Sequence, residues 1–404
     1  MPTRRAILSQ LLFAAPPAVE DAGKHTLVCV FLRGGADTMN LLVPYADDSY
    51  YRARPTISIK APQNGSTDKS RAIRIDDHYA LHPALQPMKA LYDEGRLGFV
   101  QGVGLQDNNT GSHFECQDQM EHGDSASGFQ ASGGWLGRFL RARMTDKTGP
   151  LSAVAIGTKL PESLRGAPAV SVMRSLGEIA IKVPGGKAEN AAKLLGQLYG
   201  ADVTLLGAQG RETLELFKRV QELETDSDTP ANSAEYPKDD YGTGLREIAR
   251  LIKAQVGLEV ASVDLVNWDT HFIQGSTDGI QAAKAKVLAD GLAAFEADIK
   301  EHKKNVTVLV MTEFGRRIYE NSSLGTDHGR GFAAMVLSDK IKGGRITGPW
   351  PCVVESTLLG PGGMEITHDY RSVFGEVLRG AMGIKAEKLE MVFPKFKAEK
   401  VGLI

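Results

Sequence analysis

The stretch Val306–Met311, VTVLVM, runs directly into Thr312–Gly331, TEFGRRIYENSSLGTDHGRG. A nearly continuous apolar run of this kind predicts a strand buried on both faces, as in parallel α/β sheets. The strand is followed by Glu313, Asp327 and His328 among glycines and small polar residues. This combination predicts a metal or acid/base site at the end of the strand rather than a surface loop.

The rest of the chain repeats this alternation of buried strands and helical segments. Apolar runs at Leu27–Leu32 and Leu97–Gly104, and the segments LSAVAIG and LEVASVDLVNWDTH, predict further strands. Helical spacing of apolar residues predicts the helices between them, including a long one from Ile280 to about His302. The alternation predicts a doubly wound α/β fold with a largely parallel central sheet.

Composition excludes several classes of protein. The 404 residues carry a formal net charge of −2, so no basic field indicates a nucleic-acid partner. No run reaches the roughly 18 apolar residues of a membrane span. The three cysteines, Cys29, Cys116 and Cys352, are too few and too scattered for a disulfide framework or a paired-cysteine metal site.

The amino terminus, MPTRRAILSQLLFAAPPAV, has paired arginines and then a short, moderately apolar run. This pattern is typical of a twin-arginine export signal, which directs folded proteins across a membrane, and we assign residues 1–24 to it. The alternative is a basic terminus without a targeting role. We therefore expect a periplasmic or otherwise exported protein, with residues 25–404 forming a single α/β domain that has a polar loop near 224–240.

Polar side chains follow the predicted strands at several points. In an open α/β sheet, the carboxyl ends of parallel strands meet at one edge, where ligands bind. Carboxylate oxygen and imidazole nitrogen are ligands of divalent metals, so we expect Zn, Mn, Mg or Ca to bind there. Each side chain alone also has a structural interpretation, such as shaping a turn. The expected metal ligands are Asp37, Asp269, His271, Glu313, Asp327 and His328.

Several motifs in combination resemble the uncharacterised exported family catalogued as domain of unknown function 1501. They are VFLRGGAD, SHFE, GWLGR, TEFGRR, GTDHGRG and DYRSVFGEVL, and they span the chain from about Leu27 to the carboxyl terminus. That family is similar in fold to the alkaline phosphatase and sulfatase superfamily. The resemblance implies a three-layer αβα sandwich, a two-metal site and a hydroxyl nucleophile at a helix amino terminus.

The resemblance also implies roles for single residues. Ser112 falls near the nucleophile position, with Thr110 as the alternative, and His113 and Arg316 complete the expected catalytic group. One position departs from the superfamily pattern, because Phe314 stands where a histidine is common. One imidazole is then missing unless His113 or Asp327 replaces it, so a one-metal or altered site is the competing expectation.

Taken together, these features predict an exported, metal-dependent hydrolase of small or polymeric phosphate or sulfate esters. The arginines Arg33, Arg316 and Arg330 are expected to hold the anionic oxygens. The alternative is a non-catalytic exported binding or assembly protein that keeps the fold with a degenerate metal site. A dinucleotide-dependent dehydrogenase is disfavoured, because LRGGAD lacks the glycine spacing that lets a pyrophosphate approach a helix.

Overall fold

The computed structural model describes residues 25–108, 110–124, 132–145, 148–179, 188–225, 229–351 and 355–404. The predicted leader, residues 1–24, lies outside these ranges, as do Cys352 and residues 226–228 of the predicted polar loop. The strands in these ranges are β1 (Thr26–Leu32), β2 (Leu42–Val43), β3 (Ile73–Arg74), β4 (Ala80–Leu81), β5 (Leu97–Gly104), β6 (Ala153–Ile156), β7 (Ser171–Met173), β8 (Val260–Leu265), β9 (Val306–Met311), β10 (Phe332–Leu337), β11 (Ile346–Thr347) and β12 (His368–Asp369).

The helices in the same ranges lie mostly between the strands of the large sheet. They are α1 (Thr38–Leu41), α2 (Asp48–Ala53), α3 (Gln86–Asp93), α4 (His113–His122), α5 (Trp135–Arg143), α6 (Ala188–Ala201), α7 (Leu205–Thr225), α8 (Asp240–Lys253), α9 (Ile280–Asp298), α10 (Tyr370–Gly380) and α11 (Ala386–Val392). None of these helices combines the length and the hydropathy needed to cross a bilayer.

The large sheet has the strand order β11-β5-β10-β9-β1-β8-β6-β7, and β12 also pairs with β5. Strands β7, β6, β8, β1 and β9 are parallel, whereas β10 runs antiparallel to both β9 and β5. The carboxyl ends of β1, β5, β8 and β9 therefore meet at one edge of the sheet, together with the amino end of β10. We call this edge the carboxyl edge.

Both faces of the sheet are covered by helices. Along β1, alternate side chains point to opposite faces. Val28, Val30 and Leu32 join a core that includes side chains of α3, α8 and α9. Leu27, Cys29 and Phe31 join a second core that includes side chains of α4, α5, α10 and α11. The predicted α/β fold with a largely parallel central sheet is confirmed.

The structure also differs from the prediction in detail. The helix expected to reach about His302 ends at Asp298. A second sheet, β2-β4-β3, was not predicted, because strands of two residues are too short to show a period. Cys29 and Cys116 are buried and unpaired. The main strands nevertheless lie where the apolar runs predicted them.

Candidate metal centre

Four side chains meet at the carboxyl edge, and we call them the His/Asp cluster: His113, Asp269, His271 and His328. Asp269 and His271 follow β8, His328 precedes β10, and His113 is the first residue of α4 after β5. The Oδ1 atom of Asp269 lies 3.4 Å from Nε2 of His113, 3.1 Å from Nε2 of His271 and 3.2 Å from Nε2 of His328. The Nε2 atoms of His271 and His328 are 2.9 Å apart.

The other ring nitrogen of each histidine faces an oxygen atom. A carboxylate or carbonyl oxygen only accepts hydrogen bonds, so Nδ1 carries the proton and Nε2 of the neutral ring has a lone pair. The three contacts are His113 Nδ1 to Glu313 Oε1 at 2.7 Å, His271 Nδ1 to Asp327 Oδ1 at 3.1 Å, and His328 Nδ1 to the carbonyl oxygen of Gly111 at 2.7 Å.

This arrangement leaves lone pairs facing one another. Nε2 of His271 and Nε2 of His328 cannot form a hydrogen bond if neither has a proton, and both point toward a carboxylate. Nε2 of His113 is buried and has no hydrogen-bond partner among the described residues. A bound cation would satisfy lone pairs of this kind, and His113, Asp269 and His328 offer ligand atoms that all lie within 4.8 Å of one another. The donor set therefore fits a divalent metal.

Arg316 fixes the position of Asp269. Its Nη2 donates to Asp269 Oδ1 at 2.5 Å, and its other donors bind backbone carbonyl oxygens of the surrounding loops. Burial alone would raise the pKa of Asp269, but the hydrogen bond and charge of Arg316 lower that pKa to about 2. Asp269 is therefore ionised at neutral pH. The donors of Arg316 are thus directed to protein acceptors, one of which is Asp269.

Glu313 contacts Nδ1 of His113. It is fully buried, and its Oε1 accepts from Gly34 N at 2.9 Å and from Gln117 Nε2 at 2.8 Å in addition to His113. Burial opposes ionisation, but the hydrogen bonds from His113 and Gln117 lower the pKa of Glu313. The same bond raises the pKa of His113 against the effect of burial. Gln117 in turn accepts from Arg33 Nη1 at 3.2 Å.

Asp327 contacts Nδ1 of His271, as Glu313 contacts Nδ1 of His113. Its Oδ1 accepts from Asn321 Nδ2 at 3.0 Å as well as from His271, and Arg317 Nη1 lies 3.4 Å from its Oδ2. The hydrogen bond from Asn321 is the main cause of the lowered pKa of Asp327. Asn321 also donates to the carbonyl oxygen of His271 at 3.0 Å. The predicted ligands Glu313 and Asp327 are thus placed at the Nδ1 atoms of two cluster histidines.

Asp37, another predicted ligand, lies in a different environment. Its Oδ2 accepts from Arg54 Nη1 at 2.7 Å and from Gln274 Nε2 at 2.6 Å, and both members of the ion pair are buried. Its Oδ1 is buried without a hydrogen-bond partner among the residues that the structure describes. Among the described residues, the side-chain hydrogen bonds of Asp37 are therefore with Arg54 and Gln274 and not with the cluster histidines.

The two candidate nucleophiles lie on the loop before α4. Ser112 is the amino-terminal cap of α4, and its Oγ accepts from Glu115 N at 3.4 Å. Thr110 donates from Oγ1 to Asn108 Oδ1 at 2.9 Å and accepts from Ser112 N at 3.2 Å. Ser112 lies between Gly111, which binds His328, and His113. In the chain it is therefore flanked by a cluster residue, His113, and by a residue that binds another cluster residue, His328.

Sequence reasoning missed several residues that support the cluster. Gln117 had a detectable signal, because it lies four residues after His113 and so shares its face of α4. Asn321 and Gly111 act through individual hydrogen bonds that have no sequence pattern. The pairing of Arg54 with Asp37 was not predicted either, because nothing in the sequence relates the arginine that follows α2 to a carboxylate at the start of α1.

The family model described as "Protein of unknown function (DUF1501)" matches residues 24–361. No curated protein matches the sequence. Solved structures that match include the PsFucS1 sulfatase from Pseudoalteromonas sp., at 12% identity and a TM-score of 0.40, covering 95% of this chain and 73% of that one. The phosphonate monoester hydrolase of Agrobacterium radiobacter matches at 10% identity and a TM-score of 0.35, covering 89% and 74%.

A third match is a protein in the alkaline phosphatase superfamily from Vibrio parahaemolyticus, at 9% identity and a TM-score of 0.35, covering 78% of this chain and 61% of that one. Identities and TM-scores this low do not assign a function.

Proposed function

This chain belongs to the DUF1501 family of proteins of unknown function, and from that premise and the geometry of its carboxyl edge we propose that it is a metal-dependent hydrolase of phosphate or sulfate esters. One observation carries the proposal. The Nε2 atoms of His113, His271 and His328 converge on Oδ1 of Asp269, while an oxygen atom holds the proton on each Nδ1.

The donor set also favours a kind of metal. Imidazole nitrogen suits Zn and other transition metals, whereas Mg and Ca prefer oxygen ligands. Three imidazoles and one carboxylate therefore favour Zn within the range expected from the sequence. When bound, such a cation withdraws charge from the oxygens of an ester and so favours attack on phosphorus or sulfur.

The cluster is open to solvent, which a hydrolase requires. The side chains of His113, His328, His271 and Asp269 are 22%, 25%, 29% and 44% exposed, respectively. Structural zinc sites are closed by four protein ligands, whereas catalytic sites keep a position for water or substrate. Partial exposure of all four side chains supports the second type, because an ester can then reach the cluster from the solvent side.

Ser112 is the nucleophile that the geometry favours. Its Oγ accepts a backbone hydrogen bond at the amino terminus of α4, so its own proton remains available for transfer. The amides of a helix amino terminus also favour negative charge that develops beside it. Thr110 is the weaker candidate, because its hydroxyl is held by Asn108 and by the amide of Ser112.

Arg330, two residues after His328, is the arginine that we expect to hold the anionic oxygens. Gly329 N donates to Gly315 O and Gly315 N to Arg330 O, so backbone hydrogen bonds hold the segment that carries His328 and Arg330. No ion pair or side-chain hydrogen bond of Arg330 occurs among the described residues. Burial lowers the pKa of its half-buried guanidinium, an effect that an anionic ligand would offset. Arg33 and Arg316, by contrast, are bound to protein acceptors.

The test is turnover of zinc-loaded protein with phosphate and sulfate esters. We expect Ser112→Ala and His328→Ala each to lower kcat/KM by about a hundredfold or more, since each removes a group from the reacting site. The matched control is Ser66→Ala, which changes an exposed serine in the loop between α2 and β3. Unchanged turnover in both site variants would exclude the proposed chemistry.

The second candidate function is a non-catalytic metal-binding protein. Four protein donors are enough to complete a tetrahedral shell without substrate, and this observation favours it. The two functions differ in a simple measurement. Tight zinc binding with no turnover of any phosphate or sulfate ester would support the binding protein.

We also propose that the protein is exported by the twin-arginine route, on the basis of Arg4 and Arg5. Cell fractionation of the full chain, with an Arg4→Lys, Arg5→Lys double variant as comparison, tests this point. We expect the full chain in the exported fraction and the variant inside the cell. Equal distribution of the two would contradict it.

A further inference from the structure

Large apolar side chains lie exposed in the segments that carry the His/Asp cluster. Phe114 follows His113 directly, Phe272 and Ile273 follow His271, and Leu324 lies three residues before Asp327. Phe114 is 87% exposed, Phe272 and Ile273 are each 70% exposed, and Leu324 is 47% exposed. We call these four residues the apolar rim. Their exposure next to a polar centre is unfavourable unless a ligand covers them.

The backbone holds part of the apolar rim in an unusual conformation. Ile273 has φ of +44° and Leu324 has φ of +58°, in the left-handed region that residues other than glycine rarely adopt. For a β-branched residue such as isoleucine this is a genuine outlier. A strained conformation of this kind persists only where the surrounding structure over-determines it, and such positions concentrate at functional sites.

The two loops that bear these residues are joined by backbone hydrogen bonds. Ile273 N donates to Ser323 O at 2.9 Å, and Gln274 N donates to Leu324 O at 2.9 Å. Ile273 and Leu324 are therefore neighbours on a fixed double loop. One of these two loops begins after His271, and the other leads to Asp327, which binds His271. The backbone hydrogen bonds between the loops therefore connect this part of the apolar rim to the cluster.

The two phenylalanines of the apolar rim belong to the segments that carry His113 and His271. The ring centroid of His328 lies 4.3 Å from that of His113 and 4.7 Å from that of His271. Phe114 is next to the first of these rings in the chain, and Phe272 is next to the second. The ring centroid of Phe272 lies 6.4 Å from that of His271, so an exposed aromatic side chain lies beside the cluster.

We infer that the apolar rim binds the apolar group of the substrate, and that the substrate class is an anionic ester of a large apolar alcohol, either aryl or alkyl. This inference rests on the proposed hydrolase function. It follows from complementarity, because the cluster with its cation and Arg330 attract a negative head group, whereas the rim has no charged side chain. A ligand with an anionic head and an apolar body satisfies both regions at once.

The test is equilibrium binding by calorimetry to the zinc-loaded full chain. The ligands are methyl, phenyl and hexyl phosphate, together with glucose 6-phosphate as a polar ester of comparable size. We expect the phenyl or the hexyl ester to bind about ten- to a hundredfold more tightly than methyl phosphate, as expected for burial of one or two large apolar groups. The comparison of phenyl with hexyl phosphate distinguishes an aryl from an alkyl substrate.

The variants are a Phe114→Ser, Phe272→Ser double variant and a control, Val203→Ser. Val203 is 97% exposed between α6 and α7, outside the loops of the apolar rim. We expect the double variant to lose the preference for phenyl or hexyl phosphate while its affinity for methyl phosphate is unchanged. The control should keep the preference. Equal affinity for all esters, tighter binding of glucose 6-phosphate, or an unaltered preference in the double variant would overturn the inference.

Turnover separates this inference from the hydrolase proposal. Rim-dependent binding of phenyl or hexyl phosphate, without hydrolysis of these esters or of the corresponding sulfates, would contradict the hydrolase function and leave the apolar rim as a ligand-binding site. Hydrolysis with the same KM for methyl, phenyl and hexyl esters would support the hydrolase and overturn the role of the rim.

Discussion

The Nε2 atoms of His271 and His328 lie 2.9 Å apart, although the Nδ1 proton of each ring is already donated to an oxygen atom. Two ring nitrogens that both have lone pairs repel at this distance, and the carboxylate of Asp269 adds to the repulsion. A cation between them converts the repulsion into coordination. This relationship between two histidines is the strongest reason to regard the cluster as a metal centre.

Replacing Glu313 by glutamine should weaken metal binding. The buried carboxylate accepts from His113 Nδ1, and outer-shell partners of this kind typically contribute about 10- to 100-fold to metal affinity. We expect a loss in that range for Glu313→Gln, measured by zinc competition with a chromophoric chelator. Glu320→Gln, in an exposed contact with Thr56, is the matched control. Wild-type affinity in Glu313→Gln would show that Glu313 does not support His113.

Replacing Asp37 by asparagine should affect stability rather than metal binding. The change leaves the buried Arg54 without its charge partner, which costs about 3–5 kcal/mol in the free energy of unfolding. Because the contacts of Asp37 are with Arg54 and Gln274, we expect the zinc affinity of the folded variant to match that of the wild type. Urea unfolding and zinc titration measure the two effects. A large loss of zinc affinity would instead support Asp37 as a ligand, as the family resemblance implies.

Replacing Arg316 by lysine should destabilise the loops at the carboxyl edge. The guanidinium binds Asp269 and several buried carbonyl oxygens, and a lysine ammonium cannot reach them all. We expect a loss of about 2–4 kcal/mol in the free energy of unfolding, since buried acceptors are left unpaired. The pKa of Asp269 should also rise from about 2 toward its usual value, which NMR titration can follow. No change in either quantity would contradict the role given to Arg316.

His25 lies directly before β1, at the end of that strand away from the cluster. It should make the stability of the protein depend on pH. Burial is the main cause that lowers its pKa from 6.5 to about 4, with the charges of Lys340 and Arg96 adding to it. Between these values the unfolded chain binds more protons than the folded one. The contribution of His25 to the free energy of unfolding is therefore fully present above pH 6.5. It falls as the pH is lowered toward 4, by at most about 1.4 kcal/mol per pH unit.

The measurement for His25 is the difference in unfolding free energy between wild type and His25→Asn across this range. The wild type should lose stability more steeply as the pH falls from 6.5 to 4. Parallel curves would show that His25 titrates in the folded state much as it does in the unfolded chain. Other titrating groups are common to both proteins and cancel in the difference.

The main strands could be predicted from the sequence because β1, β5 and β9 are buried along their whole length. Such strands leave continuous apolar runs that need no knowledge of their neighbours. The antiparallel direction of β10 was not predictable in this way. Its sequence, FAAMVL, is as apolar as that of a parallel strand, and its direction depends on the loop that connects it to β9.

The site could be predicted as a group of residues but not as a set of contacts. The ends of neighbouring parallel strands must meet, so the gathering of Asp269, His271 and His328 followed from their positions after or before strands. Which of them contact one another depends on side-chain packing. The partners of Glu313 and Asp327 are histidines from other segments, and the charge of Asp37 is balanced by Arg54, so these relationships required coordinates.

The most direct test of the metal centre is zinc titration of the purified, metal-stripped chain, compared with a His271→Ala, His328→Ala double variant. The geometry predicts one tightly bound zinc ion per wild-type chain, and binding weakened by at least about a hundredfold in the double variant, which loses half of its donors. A wild-type chain that binds no zinc, or a double variant that binds it as tightly, would contradict the account.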